Sequence, residues 1–314
     1  MNNSNDLRGR RDFLRITGAS IAGMALGVKA YPAATKSVLV FTKSSGFEHQ
    51  VVKRSGSQLS IAENAVTELG KKNGFEVTCT KDGRVFDSGE FRKHNALFFF
   101  TTGDLTTTGT DGNPPMSAAG KQAMLSAIEG GLGFVGCHAA SDTFHTQPDP
   151  QDLSNRYVAH GAQSDPYLRM LGGEFIIHGG HPRLQTAELI VNDPTFPGLQ
   201  GVKSPVSLNE EWYSLKDFAP DLHVILTIDT KTLHDKCYER RPYPVSWARM
   251  HGKGRVYFNA IGDRPENWQE PFFLNALAGG LRWSIGDAQA KLTHNLATAA
   301  PGYADIPPRE PAKA

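Results

Sequence analysis

A histidine follows a short apolar segment at a point where the chain is expected to turn sharply. Residues 133–140 read GFVGCHAA, so His138 stands between Cys137 and two alanines. Small residues let the backbone turn tightly at the end of a strand, and a following helix offers free N–H groups to an anion. This layout is typical of a nucleophile elbow and makes His138 a candidate functional residue. The alternative is a histidine that only hydrogen-bonds at the end of a strand.

Two further histidines lie in a glycine-rich turn. Residues 178–182 read HGGHP, which places His178 and His181 on either side of two glycines. Additional candidate ligands elsewhere in the chain are His138, His145 and Asp142. Together they permit a divalent metal site of the His/carboxylate type at His178 and His181, although the spacing matches no compact zinc motif. The alternative is that either imidazole only shapes a crevice by hydrogen bonding. The sequence indicates no other cofactor.

Acidic and aromatic residues alternate at residues 209–213, which read NEEWY. In a strand, Glu211 and Tyr213 would share one face, and Glu210 and Trp212 the other. A carboxylate beside aromatic rings suits a small carbohydrate, because rings stack on the apolar face of a sugar and the acid accepts hydroxyl hydrogens or moves a proton. The alternative is an edge strand in solvent with partly buried aromatic residues.

The segments around these residues predict the elements that must position them. Apolar runs predict strands at 38–42, 75–80, 97–100 and 133–137, and helical spacing predicts helices at 59–73 and 117–129. This order predicts an α/β fold with an open, mostly parallel sheet and helices on both faces. Because ligands bind beyond the carboxyl ends of such strands, the loops 42–50, 101–104 and 136–145 are expected to meet at one crevice.

The second half of the chain is predicted to continue the same domain. Further strands are expected at 187–191, 224–228, 245–249 and 256–260, and a final helix at 270–284. Residues 252–255 are expected to form a tight turn between two strands. The turn-rich stretch 145–166 is expected to be a long loop or insertion. The Ala/Pro-rich segment 286–314 is expected to be a loosely ordered tail.

The composition excludes several classes of protein. The 314 residues are 39% hydrophobic and 21% charged, which is typical of a globular chain rather than a disordered or multi-span membrane protein. The first thirty residues hold five bases and two acids, and the rest of the chain is near −2, so no basic surface for nucleic acid is expected. Three cysteines are too few for a disulfide framework.

Residues 1–30 resemble a twin-arginine (Tat) signal peptide. Arg10 and Arg11 precede a weakly hydrophobic stretch at 16–28 and a small-residue pattern at 28–30. Such a leader implies export of the folded protein to the periplasm, with membrane contact only through the signal peptide. The alternatives are an uncleaved leader that acts as an anchor and an N-terminal amphipathic helix.

The order of several motifs resembles the trehalose-utilisation (ThuA-like) family over residues 37–284, as a single large domain with insertions. The motifs are FTK at 41–43, GFEH at 46–49, residues 133–143, residues 167–178, EEWY at 210–213, PVSW at 244–247 and GKGR at 252–255. The resemblance implies a flavodoxin-like fold similar to class I glutamine amidotransferases. Those enzymes carry Gly-x-Cys-x-Gly, whereas here His138 takes the nucleophile position. Cys137 is therefore expected to be buried, and Cys-dependent glutamine hydrolysis is not expected.

The same resemblance implies which residues act. The expected catalytic residues are His138, Glu211 and Asp142, and the expected substrate-binding residues are His49, Tyr213, His178 and Asp104. The family often has a histidine after the strand at 256–260, where this chain has Asp263, which could bind a hydroxyl or a metal.

The resemblance implies action on trehalose-like disaccharides or their oxidised keto derivatives. The first hypothesis is an exported enzyme (a lyase, isomerase or hydrolase) acting on an oxidised glucoside. A carbonyl acidifies the neighbouring C–H, and Glu211 or His138 removes that proton. The alternatives are a sugar-binding module without catalysis and an accessory protein of an exported sugar dehydrogenase.

Overall fold

The computed structural model describes residues 35–146 and 153–309. The expected signal peptide lies outside these residues. Within the described part of the chain, no helix combines the length and the apolar character needed to cross a membrane.

Nine strands of the described chain form one sheet, and two others pair separately. The strands are β1 Ser37–Phe41, β2 Glu76–Thr80, β3 Ala96–Phe99, β4 Gly133–Cys137, β5 Glu174–His178, β6 Gln185–Val191, β7 Val206–Glu210, β8 Tyr213–Lys216, β9 His223–Asp229, β10 Tyr243–His251 and β11 Gly254–Asn259. The helices are α1 Ile61–Asn73, α2 Arg84–Asp87, α3 Ala118–Glu129, α4 Pro166–Leu171, α5 Pro271–Ser284 and α6 Leu296–Ala299. The order in the large sheet is β2-β1-β3-β4-β11-β10-β9-β6-β7, and β5 pairs with β8.

One half of the large sheet is parallel and confirms the predicted α/β class. β1 pairs in parallel with β2 and β3, and β4 pairs in parallel with β3 and β11. β1, β3 and β4 are buried almost throughout, as continuous apolar runs predict for central strands covered on both faces. The helices pack as two groups: α1 contacts α5, whereas α3 contacts both α2 and α4.

The other half is antiparallel, a direction that the sequence predicted only through the tight turn expected at 252–255. β10 pairs with β11 and β9, and β6 pairs with β9 and β7, all in antiparallel direction. The predicted tight turn is confirmed: His251 pairs with Gly254 across a two-residue connection in which Gly252 has a φ of 58°. So short a connection can only join antiparallel strands.

A polar anchor begins α1, the first helix after β1. Ser60 caps the helix, and the Glu63 carboxylate accepts a hydrogen bond from the Ser60 N–H in return. The same buried carboxylate also binds Arg54 and the Thr42 hydroxyl. Glu63 therefore joins the helix to the end of β1, close to the loop that carries His49.

The described part of the C-terminal segment contradicts the expected loose tail. The Asn295 side chain accepts a hydrogen bond from the Val224 N–H and donates one to the Val224 carbonyl, which attaches the segment to β9. Leu296 and Ala300 are buried. Alanine and proline content misled the prediction, because a short helix and two buried apolar residues are enough to dock the segment.

Of the stretch 145–166 that was expected to be a loop or insertion, the described residues include two short helical turns, Leu153–Tyr157 and Gly161–Gln163. Residues 153–163, here called the wall segment, are held by Lys216 at the end of β8 and by Asp217 directly after it. Lys216 Nζ donates to the Val158 carbonyl at 2.6 Å, and the Asp217 carboxylate accepts from the N–H groups of His160 and Gly161. The wall segment is thereby fixed beside the carboxyl ends of the parallel strands.

Candidate functional site

A cavity of about 960 Å³ lies where the loops after the parallel strands meet. Of the seven residues expected to be catalytic or to bind substrate, five line it, namely His49, Asp142, His178, Glu211 and Tyr213. His138 lies directly behind this lining and is fully buried. The three expected loops meet, because the Thr102 carbonyl accepts from the Ser45 N–H and the Gly103 carbonyl accepts from the Phe144 N–H. Of these loops, 42–50 and 136–145 supply lining residues, His49 and Asp142. The wall segment closes one side with Leu153 and Arg156.

Asp104 does not belong to the site. Its side chain is exposed and accepts hydrogen bonds from the N–H and hydroxyl of Thr106, which closes a local turn. Aspartate commonly stabilises turns in this way. The structure therefore places the Asp104 carboxylate in a local turn rather than in the cavity lining, because position after a parallel strand does not decide which way a loop side chain points.

His138 has the backbone geometry of an elbow residue. Its φ is 43°, in the left-handed region that residues other than glycine rarely adopt. Nδ1 lies 2.8 Å from the Ala260 carbonyl oxygen, which can only accept, so the hydrogen sits on Nδ1. Gly262 packs against this turn, where a Cβ would come within 3.1 Å of the Cys137 sulfur. The elbow predicted from the sequence is thus present, with an imidazole at its tip.

Cys137 is buried, as predicted. Its thiol donates to the Ile261 carbonyl, and no part of the residue is exposed. Burial raises the pKa of the Cys137 thiol well above its ordinary value, which disfavours the thiolate that a nucleophile requires. The sulfur acts as a small apolar group next to the elbow.

The predicted strand through residues 209–213 is broken into two strands, but the predicted facing of its side chains holds. β7 ends at Glu210 and β8 begins at Tyr213. Glu211 and Tyr213 line the cavity, whereas Trp212 turns away and donates from its indole N–H to the Gln185 carbonyl. The break lets β7 stay in the large sheet while β8 pairs with β5.

Glu210 is a structural carboxylate that the sequence analysis did not assign a role. It is fully buried and accepts hydrogen bonds from the Gly262 N–H, the Arg264 N–H and the Asn267 side chain. These bonds fix the turn after β11 and place Asp263 at the cavity. The signal in the sequence was the pair of adjacent glutamates, which point in opposite directions in a strand. A glutamate that points into the protein interior needs several hydrogen-bond donors there.

Glu211 receives three cationic or ionisable neighbours. Arg183 Nη1 donates to Oε1 at 2.7 Å. His138 Nε2 lies 3.4 Å from Oε2, and His178 Nδ1 lies 3.6 Å from Oε1. Burial alone would raise the pKa of Glu211, but these neighbours lower it to about 2. The carboxylate is therefore ionised in the folded protein at neutral pH.

The two innermost histidines differ in charge. Burial alone would lower the pKa of His138, but the carboxylates of Glu211 and Glu210 raise it to about 9. Burial and the charge of His138 lower the pKa of His49 to about 3, so His49 is neutral. His49 Nε2 lies 3.2 Å from the Tyr213 hydroxyl, and the Tyr213 ring packs on His138 with 4.1 Å between centroids.

Arg183 and Asp263 complete the charged lining of the cavity. Arg183 Nη1 lies 2.8 Å from Asp263 Oδ2, so one guanidinium nitrogen bridges Asp263 and Glu211. Arg183 follows the glycine-rich turn after β5 and is a site residue that was not predicted from the sequence. The sequence signal for Arg183 was a basic residue directly after HGGHP. Nothing near it in the sequence indicated that Glu211 and Asp263 would contact it.

The expected metal pair His178 and His181 is not formed. His178 ends β5, and its Nδ1 lies 2.9 Å from the Gly179 carbonyl oxygen, whereas His181 is exposed. Among the residues that the structure describes, neither belongs to a cluster of three or more His, Cys, Asp or Glu side chains that could hold an ion. The peptide bond between His181 and Pro182 is cis, and Arg183 follows it directly.

Asp142 joins the cavity to a buried polar network. It hydrogen-bonds His145 Nε2, and His145 Nδ1 in turn lies 3.2 Å from the Glu174 carboxylate. Arg156 from the wall segment lies 3.7 Å from Asp142. The Asp142 carboxylate thus lines the cavity with His145 and Arg156 as its partners.

The parallel strands, the left-handed residue after β4 and the cavity at the strand ends define an α/β protein of the flavodoxin-like class. The family model described as trehalose utilisation (ThuA) matches residues 37–284, and the chain belongs to this family. Membership indicates a carbohydrate-related role in general. A search of curated proteins found no match.

Two solved structures support the fold. A ThuA-like protein from Bacteroides uniformis is 18% identical, with a TM-score of 0.57 over 82% of this chain and 95% of that chain. A ThuA-like protein from Parabacteroides merdae is 15% identical, with a TM-score of 0.53 over 86% and 97%. At this identity the likeness concerns the fold alone.

Proposed function

We propose that the cavity binds an oxidised glucoside and that its histidine and carboxylate groups move a proton beside the sugar carbonyl. The observation that carries this proposal is the position of the ionised Glu211 carboxylate in a wall built from aromatic rings. The cavity volume of about 960 Å³ is at the upper end of the range typical for small-molecule sites, which suits a disaccharide.

The rings are arranged to contact a sugar at two depths. Tyr213 packs on Phe175 with 4.1 Å between centroids, and both line the cavity. Phe47 lines the opening and is 69% exposed, so its ring is accessible to a ligand that enters the cavity. Rings at these positions support stacking on the apolar face of a sugar, while Arg183 and Asp142 bind hydroxyl groups.

His178 is the group best arranged to accept the proton. Its Nδ1 hydrogen is held by the Gly179 carbonyl, so the lone pair lies on Nε2. Glu211 stands 3.6 Å from Nδ1 and supports the positive charge that His178 gains. His138 is fully buried and acts through Glu211, so its role is to position that carboxylate rather than to touch the sugar.

The proposed step balances as an enolate reaction. His178 takes the proton from the carbon next to the carbonyl, and the C–H electron pair moves onto the carbonyl oxygen as an enolate. When the enolate collapses, one course re-forms the carbonyl and expels the aglycone from the next carbon as an alcohol, which takes the proton from His178. In the other course the former carbonyl carbon gains that proton, and the adjacent hydroxyl loses its own proton and becomes the new carbonyl. The first outcome is elimination and the second is isomerisation.

The test is turnover of oxidised glucosides, beginning with the keto form of trehalose. His178→Gln and Glu211→Gln are each expected to reduce turnover at least about a hundredfold, the usual scale for a general acid–base group. His251→Gln, on the hairpin of β10 and β11, is the matched control and is expected to keep full activity. Full activity in both site variants would disprove the proposed chemistry.

Calorimetry on the same samples separates catalysis from binding alone. If the wild-type protein binds the sugar and returns it unchanged after long incubation, the site is a sugar-binding module and the enzymatic proposal fails. Association with an exported sugar dehydrogenase during purification, without turnover by the isolated chain, would favour the accessory role.

We also propose that the protein is exported to the periplasm through the twin-arginine route. The paired Arg10 and Arg11 and the small-residue pattern at 28–30 support this proposal.

A further inference from the structure

Four buried side chains from separate parts of the chain meet at the inner end of the cavity. His49 follows β1, His138 follows β4, Glu211 follows β7 and Asp263 follows β11. One ligand atom from each lies within 4.8 Å of the others. Two imidazoles and two carboxylates in one buried cluster are the donor set of many transition-metal sites.

Two buried ring nitrogens in this cluster make no hydrogen bond within the part of the chain that the structure describes. They are His49 Nδ1 and His138 Nε2, and the second has only the Glu211 carboxylate beside it, at 3.4 Å. His49 is 2% exposed and His138 is not exposed at all. A buried polar atom without a partner is costly and calls for an explanation such as an ion. The two carboxylates in the same cluster supply the negative charge that an ion needs.

We propose that His49, His138, Glu211 and Asp263 bind a divalent first-row transition-metal ion such as Zn²⁺. Imidazole nitrogens favour such ions over Mg²⁺ and Ca²⁺, which prefer oxygen ligands alone. His138 already has the outer contact that metal-bound histidines usually make, since its Nδ1–H donates to the Ala260 carbonyl. Its Nε2, which faces Glu211 Oε2 at 3.4 Å, is the ligand atom once the entering ion displaces its proton.

A second cluster of similar residue types already contains a cation, the ammonium group of a lysine. His160, Glu174 and Asp217 also offer atoms within 4.8 Å of one another. There the fully buried Lys216 ammonium lies 3.6 Å from Glu174, 3.8 Å from Asp217 and 3.1 Å from His160 Nδ1. The lysine is the cation of that cluster, so no metal is proposed for it.

Arg183 has the corresponding position in the first cluster, with one difference. Its Nη1 binds Glu211 at 2.7 Å and Asp263 at 2.8 Å, but its side chain is 47% exposed. An exposed guanidinium can move into solvent when a metal ion enters, whereas the buried Lys216 cannot. Arg183 is therefore a competitor of the ion, and its removal tests the site directly.

The proposal goes beyond the proposed function, because metal binding is measured without any sugar. Untagged full-length protein treated with a chelator is titrated with Co²⁺, followed by its visible absorption, and with Zn²⁺ by calorimetry. The expected result is one ion per chain. Asp263→Asn is expected to weaken binding about tenfold to a hundredfold.

Arg183→Gln is expected to strengthen binding about tenfold, because it removes a cation from the two carboxylates. His160→Gln, in the second cluster, is the matched control and is expected to leave the affinity unchanged. Arg183 is half exposed, so its variant remains informative even if a buried-site variant fails to fold, which near-ultraviolet circular dichroism reveals.

Two outcomes would overturn the proposal. One is the absence of saturable binding in both the wild-type protein and Arg183→Gln. The other is equal affinity in the wild-type protein and in a folded Asp263→Asn variant, which would place any bound ion elsewhere on the chain.

Discussion

Nε2 of His138 lies 3.4 Å from Oε2 of Glu211, although the strands that these residues follow are far apart in the sheet. Four strands separate β4 from β7 in the sheet order. The contact forms because the chain leaves the large sheet after Glu210 and continues as β8. This strand pairs with β5 in a separate two-stranded sheet. This small second sheet thus carries Glu211, Tyr213 and His178 to the elbow.

Phe47→Ala is expected to weaken sugar binding about tenfold without changing stability. The ring is 69% exposed at the opening of the cavity, and stacking on a sugar is the contact it would lose. The Phe47 backbone remains fixed by the Thr102 hydroxyl, so the loop is expected to keep its shape. Calorimetry with the keto form of trehalose gives the affinity. Met250→Ala, at an exposed residue outside the cavity lining, is the control, and equal losses in both variants would contradict this role.

Stability is expected to fall in acid through Glu174. Its ionisable and cationic neighbours are His145, His160 and Lys216. Burial alone would raise the pKa of Glu174, but His145 and Lys216 lower it from 4.5 to about 2. Because the pKa is lower in the folded state, the stabilisation is complete above pH 4.5 and is lost as the pH falls toward 2.

Urea unfolding of the wild-type protein and Glu174→Gln measures this contribution. The variant is expected to be less stable by about 3 kcal/mol at pH 6, with a smaller difference at pH 3. A difference that stays constant between pH 6 and pH 3 would show that packing, rather than ionisation, accounts for the loss.

Glu63→Gln is expected to destabilise the protein by about 2–3 kcal/mol. The buried carboxylate binds Arg54 at 2.7 Å and also holds the cap of α1, so one substitution removes the ion pair and weakens the cap. Glu68→Gln on the same helix is the control: its ion pair with Lys71 is exposed, and a change below about 0.5 kcal/mol is expected. Thermal unfolding measures the stability of both variants. Similar losses of stability in the two would contradict the structural role assigned to Glu63.

Replacement of both Arg10 and Arg11 by lysine is expected to retain the protein in the cytoplasm. The paired arginines are the feature that the twin-arginine route reads. Cell fractionation of wild type and variant in a bacterial host gives the distribution. Replacement of Arg15 alone is the control, and periplasmic accumulation of the double variant would rule out this route.

Local patterns were enough to predict the parallel half of the sheet. The runs at 38–42, 97–100 and 133–137 became β1, β3 and β4, because a strand buried on both faces must be apolar along its whole length. The elbow was predicted for a similar reason, since small residues after an apolar strand permit a sharp turn. The buried state of Cys137 followed from its place one residue before that turn.

Local patterns misled where a short segment serves long-range packing. The tail after 286 has a composition typical of loose segments, yet Asn295 satisfies both backbone groups of Val224. Asp104 follows a parallel strand, yet its carboxylate closes a turn with Thr106. In both cases the deciding contact is one hydrogen-bonding side chain, which composition does not describe.

From its own residues the chain determined its α/β class, its buried central strands and the imidazole at the elbow, because burial and turning are properties of neighbouring residues. Only the tertiary structure decided that Arg183 bridges Glu211 and Asp263 and that His49 and His138 share their cluster. Those contacts depend on strand direction and on the crossing of β8 over the sheet, and charges separated along the chain become partners only when packing removes the water between them.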